Sequence, residues 1–327
     1  MNIDLQSISI KPLRHAFDHL VARFGDKPAT RYQEGTYDVQ QTFLYHYRPT
    51  WEPELEIFDE RRTAIRMRDW YDFKDPRQFY YGTYTIARAR QQEAADTAFD
   101  YAVDSGLIDE LPVELAGLLT RVLVPTRHIE WGANMNNTFI CAYSYGTAIS
   151  AACMFAAMDR LGLAQQISRI GMAVGGVAAL DEAKRVWIEE AAWQPLRRYV
   201  EDSFVVKDWF ELFVAQNLAL DGAVHGFVCE HLARHCARTG NPVFGLLTRF
   251  LKEWCDETDR WVDAIMKAAV TESAQNRALV GGWVDAWTQR ALDSVATLAA
   301  SVPGVEAASV IGSLAGDFQV RRQRIGV

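Results

Sequence analysis

An all-α fold is predicted for this chain. Three observations carry that expectation: long helix-forming runs, short Pro- or Gly-containing joints between them, and no regular hairpin pairing. They divide the 327 residues into an extended arm, 1–52, one helical domain, 53–302, and a C-terminal tail, 303–327.

Within the arm, Leu13 to Leu20 fits a short helix. The following GDKPATRYQEGTYDVQQTFLYHYRPTWEP has the Gly, Pro and mixed polar–aromatic make-up of extended chain, with a brief strand conceivable over Thr36–Tyr45. Pro53 then fits the first turn of a helix running to about Trp70. Asp75-Pro76-Arg77-Gln78 reads as a cap, a first-turn proline and a capping-box partner, opening a helix that stops at Ser105-Gly106. Its mid-length polar residues, Arg88, Arg90, Gln91, Gln92, Glu93 and Asp96, exceed one solvated face, so a buried polar seam is expected there. Pro112 opens the next helix, with a kink or break at Pro125. A small-residue helix is expected from Ile140 to Gly162 and another from about Ala164 to Trp193, where Gly171, Gly175 and Gly176 permit a close crossing. After Pro195, residues 196–222 are apolar on more than one side and should be enclosed. Asp221-Gly222 should interrupt that helix. Asn241-Pro242 caps a helix with the stripe Leu247, Phe250, Leu251, Trp254, Trp261, Ile265 and Met266, and a last helix covers about Glu272 to Ala300 with a soft spot at Gly281-Gly282. Beyond Pro303-Gly304 the pattern fades.

Composition narrows the function classes. A net charge of −8 and a pI near 5.4 leave no footprint for nucleic acid or an anionic membrane. MNIDLQSISI lacks the features of a signal peptide, and no apolar run reads as a membrane span, so a cytoplasmic location is expected. The five cysteines read as small reduced core residues. The aromatic load is high, and Phe43, Tyr45, Tyr47 and Trp51 in the polar arm are candidate partner-binding residues.

Candidate chemistry is sparse. The run 170–187, IGMAVGGVAALDEAKRVW, looks like half of a carboxylate-bridged metal site, which in helix bundles uses Glu-x-x-His on inward faces. Here Arg185 stands three residues after Glu182, and a guanidinium has no lone pair for a metal. None of the seven histidines has an acidic residue three positions before it. Glu93, Glu130 and Glu182 could still meet from three helices. His225, Cys229, His231, His235 and Cys236 cluster in sequence, yet they occupy two faces of one helix and cannot converge on a tetrahedral zinc. Gly171-x-x-x-Gly175-Gly176 lacks the dinucleotide spacing and a preceding strand, and Ser144 lacks the first glycine of a nucleophile elbow. Metal, cofactor and catalytic residues are therefore expected to be none in this chain.

PRQFYYGTYTIARARQQEAAD at 76–96, TRHIEWGANMNNTF at 126–139, the run 170–187 and the long N-terminal arm resemble the beta, non-catalytic oxygenase subunit of bacterial multicomponent monooxygenases, closest to phenol hydroxylase. The resemblance spans roughly residues 10–310. It implies a ferritin-like bundle and a place in a dimer of alpha–beta–gamma trimers. It also implies a catalytic alpha subunit with the di-iron centre, a small gamma subunit, a regulatory protein, and a reductase carrying FAD and an iron–sulfur cluster that draws electrons from NAD(P)H. On the same footing Glu182 matches a ligand glutamate of the catalytic subunit, Arg185 stands where its histidine would be, and Tyr145 takes the place of another carboxylate. These three residues form the expected degenerate metal-site region. A peripheral protein-binding or regulatory module, or an independent metal-binding oxidoreductase, are the competing readings.

Overall fold

The computed structural model describes residues 16–40 and 48–327. Among them every regular element is helical. The chain begins with α1 (Asp18–Phe24) and α2 (Arg31–Thr36), the latter opened by a capping box between Thr30 and Gln33. Leu20, Tyr32 and Tyr37 pack on Tyr71 and Ala148, and Arg23 bridges Asp38 and Asp69. This part of the expected arm is thus folded back on its own chain. Phe43, Tyr45 and Tyr47 lie outside the described residues, whereas Trp51 is 73 % exposed.

The helix expected from Pro53 to Trp70 is not formed. The segment holds only short 3-10 turns at Glu60–Arg62 and Trp70–Asp72. Distant side chains take its backbone groups instead: Ala64 N–H donates to Asp208 Oδ2 (2.6 Å), and the backbone of Arg66 exchanges two bonds with the Asn276 amide (3.1 and 2.8 Å). Such anchoring satisfies the main chain without helical ladders. A second correction concerns Asp75. It accepts from Arg77 N–H and from the Arg77 guanidinium, closing a turn in which Gln78 adopts φ +52°, and α3 (Tyr81–Asp104) starts five residues after Pro76.

α4 (Val113–Leu118) continues as a π-helical stretch to Leu123 and breaks at Pro125, as expected of that residue. α5 (Thr126–Tyr143) and α6 (Thr147–Glu189) form an antiparallel pair. The sequence placed a helix end at Gly162; α6 runs through it. The actual discontinuity is at Gly175-Gly176, where Gly176 has φ +64°, so these glycines bend the helix. After α7 (Gln194–Ser203) the chain enters α8, Trp209–Arg238, a continuous helix with π-helical stretches at Val214–Leu220 and Gly226–Leu232. Asp221-Gly222 does not interrupt α8, because Asp221 is turned inward to a cation. α9 (Val243–Glu272) and α10 (Ala274–Ala300) follow without a break at Gly281-Gly282.

The tail after Pro303 is also helical: α11 (Ala307–Ile325) buries Val310, Leu314 and Phe318. It escaped detection because its apolar positions are diluted by Ala, Gly and Ser. It docks closely on α8, since a side chain at Gly222 would lie 2.8 Å from Phe318 and one at Gly226 2.7 Å from Leu314. α5, α6, α8 and α9 enclose the centre of the bundle, α3 packs on α9, and α10 and α11 cover α8.

Two helices, α6 and α8, are long and apolar enough to cross a membrane by length and composition, contrary to the sequence reading. Both carry salt-bridging residues within their length, Asp159 and Arg160 in α6 and Asp221 in α8, whose partners lie on neighbouring helices of the bundle.

Candidate functional site

The centre of the bundle is polar. Four inward positions meet there: Glu130 of α5, Arg160 of α6, and Asp221 and His225 of α8, none more than 5 % exposed. The i, i+4 spacing of Asp221 and His225 puts both on one helix face. Arg160 Nη1 donates to Glu130 Oε2 at 2.9 Å, and its Nη2 pairs with Asp221. His225 Nε2 lies 2.8 Å from Glu130 Oε1. Trp254 of α9 closes the fourth side, its ring 4.4 Å from the guanidinium carbon.

Amides complete the shell. Gln216 Nε2 donates to Asp221 Oδ1 (2.9 Å), Asn136 Nδ2 donates to Gln216 Oε1 (2.8 Å), and Asn137 and Asn217 exchange bonds of 3.1 Å. A buried charge is tolerable only with such pairing and hydrogen bonding. Burial by itself would raise the Glu130 carboxyl; Arg160 and His225 outweigh it and bring the group down to about 2. Burial likewise opposes the imidazolium of His225, and the Glu130 carboxylate beside it more than offsets that, raising the group well above 6.5. With His225 protonated, two cations face two anions.

A second cluster lies back to back with the first. Asp159, the neighbour of Arg160, accepts from Tyr84 Oη (2.8 Å), Arg88 Nε and Nη2 (both 2.7 Å) and Trp254 Nε1 (2.9 Å). Arg88 also reaches Glu257 at 2.9 Å. The polar seam expected on α3 is this one.

Iron would not fit the centre. A di-iron site in such a bundle collects four carboxylates and two imidazoles on inward positions. Here a guanidinium, without a lone pair and with a permanent positive charge, occupies the space between the carboxylates. Among the described residues no group of three or more His, Cys, Asp or Glu is arranged to hold a metal ion.

The residues singled out from sequence are distributed differently. Glu182 and Arg185 do pair, at 2.8 Å, but at the surface near the end of α6, in a network with Arg121 and Glu190. Exposed pairs of this kind contribute little. Arg185→Met should therefore leave the urea midpoint of the chain unchanged, which a denaturation curve checks. Tyr145 packs on Trp70, 5.5 Å between ring centroids, in the α5–α6 connection at the opposite end of α6. Glu93 is exposed on α3, so Glu93, Glu130 and Glu182 do not meet. His128 points away from Glu130, stacks on Trp187 at 5.6 Å, and is pushed down to about 4 by burial, with Arg127 and Lys184 adding to the effect. The Cys/His cluster is split: His225, Cys229 and Cys255 line a cavity of about 290 Å³ between α8, α9 and α11, while His235 lies against Gly304. Sequence reading missed Arg160 and misjudged Asp221. The available signal was an Asp-Arg pair interrupting the otherwise apolar middle of α6.

A family model described as Methane/Phenol/Alkene Hydroxylase matches residues 51–273. The chain is 43 % identical over its whole length to the phenol 2-monooxygenase oxygenase component DmpL of Pseudomonas sp. (strain CF600), covering 98 % of it. It is 40 % identical to the corresponding component MhpL of Acinetobacter pittii (strain PHEA-2), over 94 % of both chains. A chain in the crystal structure of xenon-pressurised phenol hydroxylase from Pseudomonas sp. OX1 superposes with a TM-score of 0.92 at 41 % identity, over 98 % of each. The ferritin-like fold expected from sequence is thereby the fold observed.

Proposed function

The chain belongs to the methane/phenol/alkene hydroxylase family, and from that premise we propose that it is the non-catalytic, beta-type oxygenase subunit of a phenol-hydroxylating multicomponent monooxygenase. One observation carries the reading: the bundle centre that a catalytic relative would give to iron is filled by Arg160 and neutralised by Glu130, Asp221 and His225. The chain keeps a ferritin-like body whose described residues hold no ligand set for oxygen activation. Its task is to hold the catalytic alpha subunit, where a misplacement of about 1 Å can cost about 100-fold in rate.

We extend the proposal to the wider system, which the same family membership supports. The alpha subunit holds the di-iron centre, and the reductase passes electrons from NAD(P)H through FAD and an iron–sulfur cluster. A small gamma subunit, a second alpha–beta–gamma trimer and a regulatory protein complete the assembly. Residues 1–52 contribute to assembly, with Trp51 as a partner-binding residue beside the candidates Phe43, Tyr45 and Tyr47, which lie outside the described residues. The high exposure of Trp51 supports that role.

Reconstitution of phenol hydroxylation from purified components tests the proposal. Turnover should be negligible when this chain is omitted, negligible when it alone is supplied with the reductase, and restored in the full mixture. Full activity without it would leave a peripheral regulatory module as the better reading. Turnover by this chain with reductase alone would make it an enzyme.

A further inference from the structure

The cavity of about 290 Å³ between α8, α9 and α11 connects the surface with the polar centre. Asp221 and His225 line its inner end, and Val320, 62 % exposed, stands at its mouth. Two residues of its wall hold a polar atom without a hydrogen-bond partner among the described residues: Thr258 Oγ1 of α9 and Arg321 Nη2 of α11. Thr258 is 3 % and Arg321 7 % exposed. Buried polar groups are nearly always hydrogen-bonded, so two orphans in one wall need a cause. Arg321 cannot turn to find a partner. Its Nη1 is held 2.9 Å from Asp259 and its Nε 2.5 Å from Asp263, which fixes where Nη2 stands.

The same wall selects the ligand chemistry. An apolar cavity of about 150 Å³ is enough for benzene, so this one accommodates a single aromatic ring with a polar substituent. Leu314 and Phe318 of α11 and Trp254 of α9 supply apolar surface. Arg321 Nη2 can only donate, so the ligand atom that meets it must accept, which an ammonium cannot do. A carboxylate is disfavoured too, because Asp256, Asp259 and Asp317 line the same space and Arg321 is already neutralised by Asp259 and Asp263. A neutral hydroxyl satisfies both orphans, since it accepts from the guanidinium and donates to the threonine oxygen.

We propose that the α8–α9–α11 cavity binds one neutral phenolic ring, with its hydroxyl between Arg321 Nη2 and Thr258 Oγ1 and its ring against Leu314 and Phe318. The choice of phenol itself rests on the phenol-hydroxylating reading above; the preference for a neutral hydroxylated ring rests on the cavity alone. The site holds the compound without converting it. Because Asp221 and His225 form its inner wall, occupancy is linked to the central ion cluster, and a bound ring should raise the thermal midpoint of the chain.

Calorimetric titration of the full-length chain with phenol, toluene and benzoate tests this. Phenol should bind at about one equivalent with Kd on the order of 1 mM or below. Toluene, which leaves both orphans unpartnered, should bind at least about 10-fold more weakly, and benzoate should show no saturable binding. Thr258→Val keeps the shape and removes the hydroxyl, so it should raise the phenol Kd about 3- to 10-fold and leave toluene unaffected. It should not lower the thermal midpoint of the unliganded chain, because the lost hydroxyl has no partner there. Val320→Trp, at an exposed position, should obstruct the mouth and weaken phenol and toluene alike. Absence of saturable phenol binding would overturn the proposal, as would equal affinity for toluene. Phenol binding that neither substitution weakens would also overturn it, by placing the ligand elsewhere. A destabilised Thr258→Val chain would do the same, since the hydroxyl would then already be paired. No other component is present in the titration, so failed binding leaves the scaffold reading in place, and failed reconstitution of turnover leaves a measured phenol site in place.

Discussion

Replacing Arg160 with methionine should destabilise the chain by about 3–5 kcal/mol, the cost of stranding buried charge when one partner of an ion pair is removed. Arg160 is fully enclosed and meets both Glu130 and Asp221, so the upper end of that range is expected. Methionine fills much of the volume, which keeps the loss electrostatic. Two checks separate this from simple cavity formation. Arg160→Met/Glu130→Gln/Asp221→Asn should regain most of the lost stability, because no uncompensated carboxylate then remains. The deficit of Arg160→Met should also narrow as pH falls toward 5, where carboxyls freed from the guanidinium take up protons. An unchanged urea midpoint for the single variant would reject the central ion cluster as a stabilising element.

Acid should weaken the native chain through the same cluster. The Glu130 carboxyl sits at about 2 when folded against an ordinary 4.5, so its contribution is complete above 4.5 and is lost as pH falls toward 2. That difference corresponds to about 3 kcal/mol. His225 acts in the opposite sense. Its folded value is raised above 6.5, so its contribution is present below 6.5 and disappears as pH rises through the folded value. Stability supplied by the cluster should therefore be greatest between about 4.5 and 6.5. His225→Gln should flatten the alkaline limb, since a neutral amide can still donate to Glu130, and shrink without abolishing the acid limb, since Arg160 still holds the Glu130 carboxyl down. Urea midpoints measured from pH 3 to pH 9 check both limbs.

How much of this was legible in the sequence depends on where the deciding contact lies. The long helices were legible because periodicity and Pro/Gly joints are local, and Pro125 breaks its helix as expected. Residues 53–70 were misjudged because their backbone is held by Asp208 and Asn276, more than a hundred residues away. Asp221-Gly222 looked like a break because local propensity disfavours Gly and Asp in a helix. In the bundle Asp221 gains Arg160, and Gly222 gains the close approach of Phe318. The absence of Glu-x-x-His pairs was readable, but the position of the polar centre was not. Glu182 and Arg185 carried the recognisable spacing, while Glu130, Arg160, Asp221 and His225 come from three helices and share no motif.

Iron analysis of the separately expressed chain, with the assembled oxygenase as a positive control, tests most directly whether this subunit supports oxygenation without a metal centre of its own. A centre already neutralised by Arg160 predicts iron far below one equivalent per chain after loading with ferrous iron, and no iron-dependent change in thermal midpoint. Two tightly held irons per isolated chain, with a midpoint that rises on loading, would contradict the account.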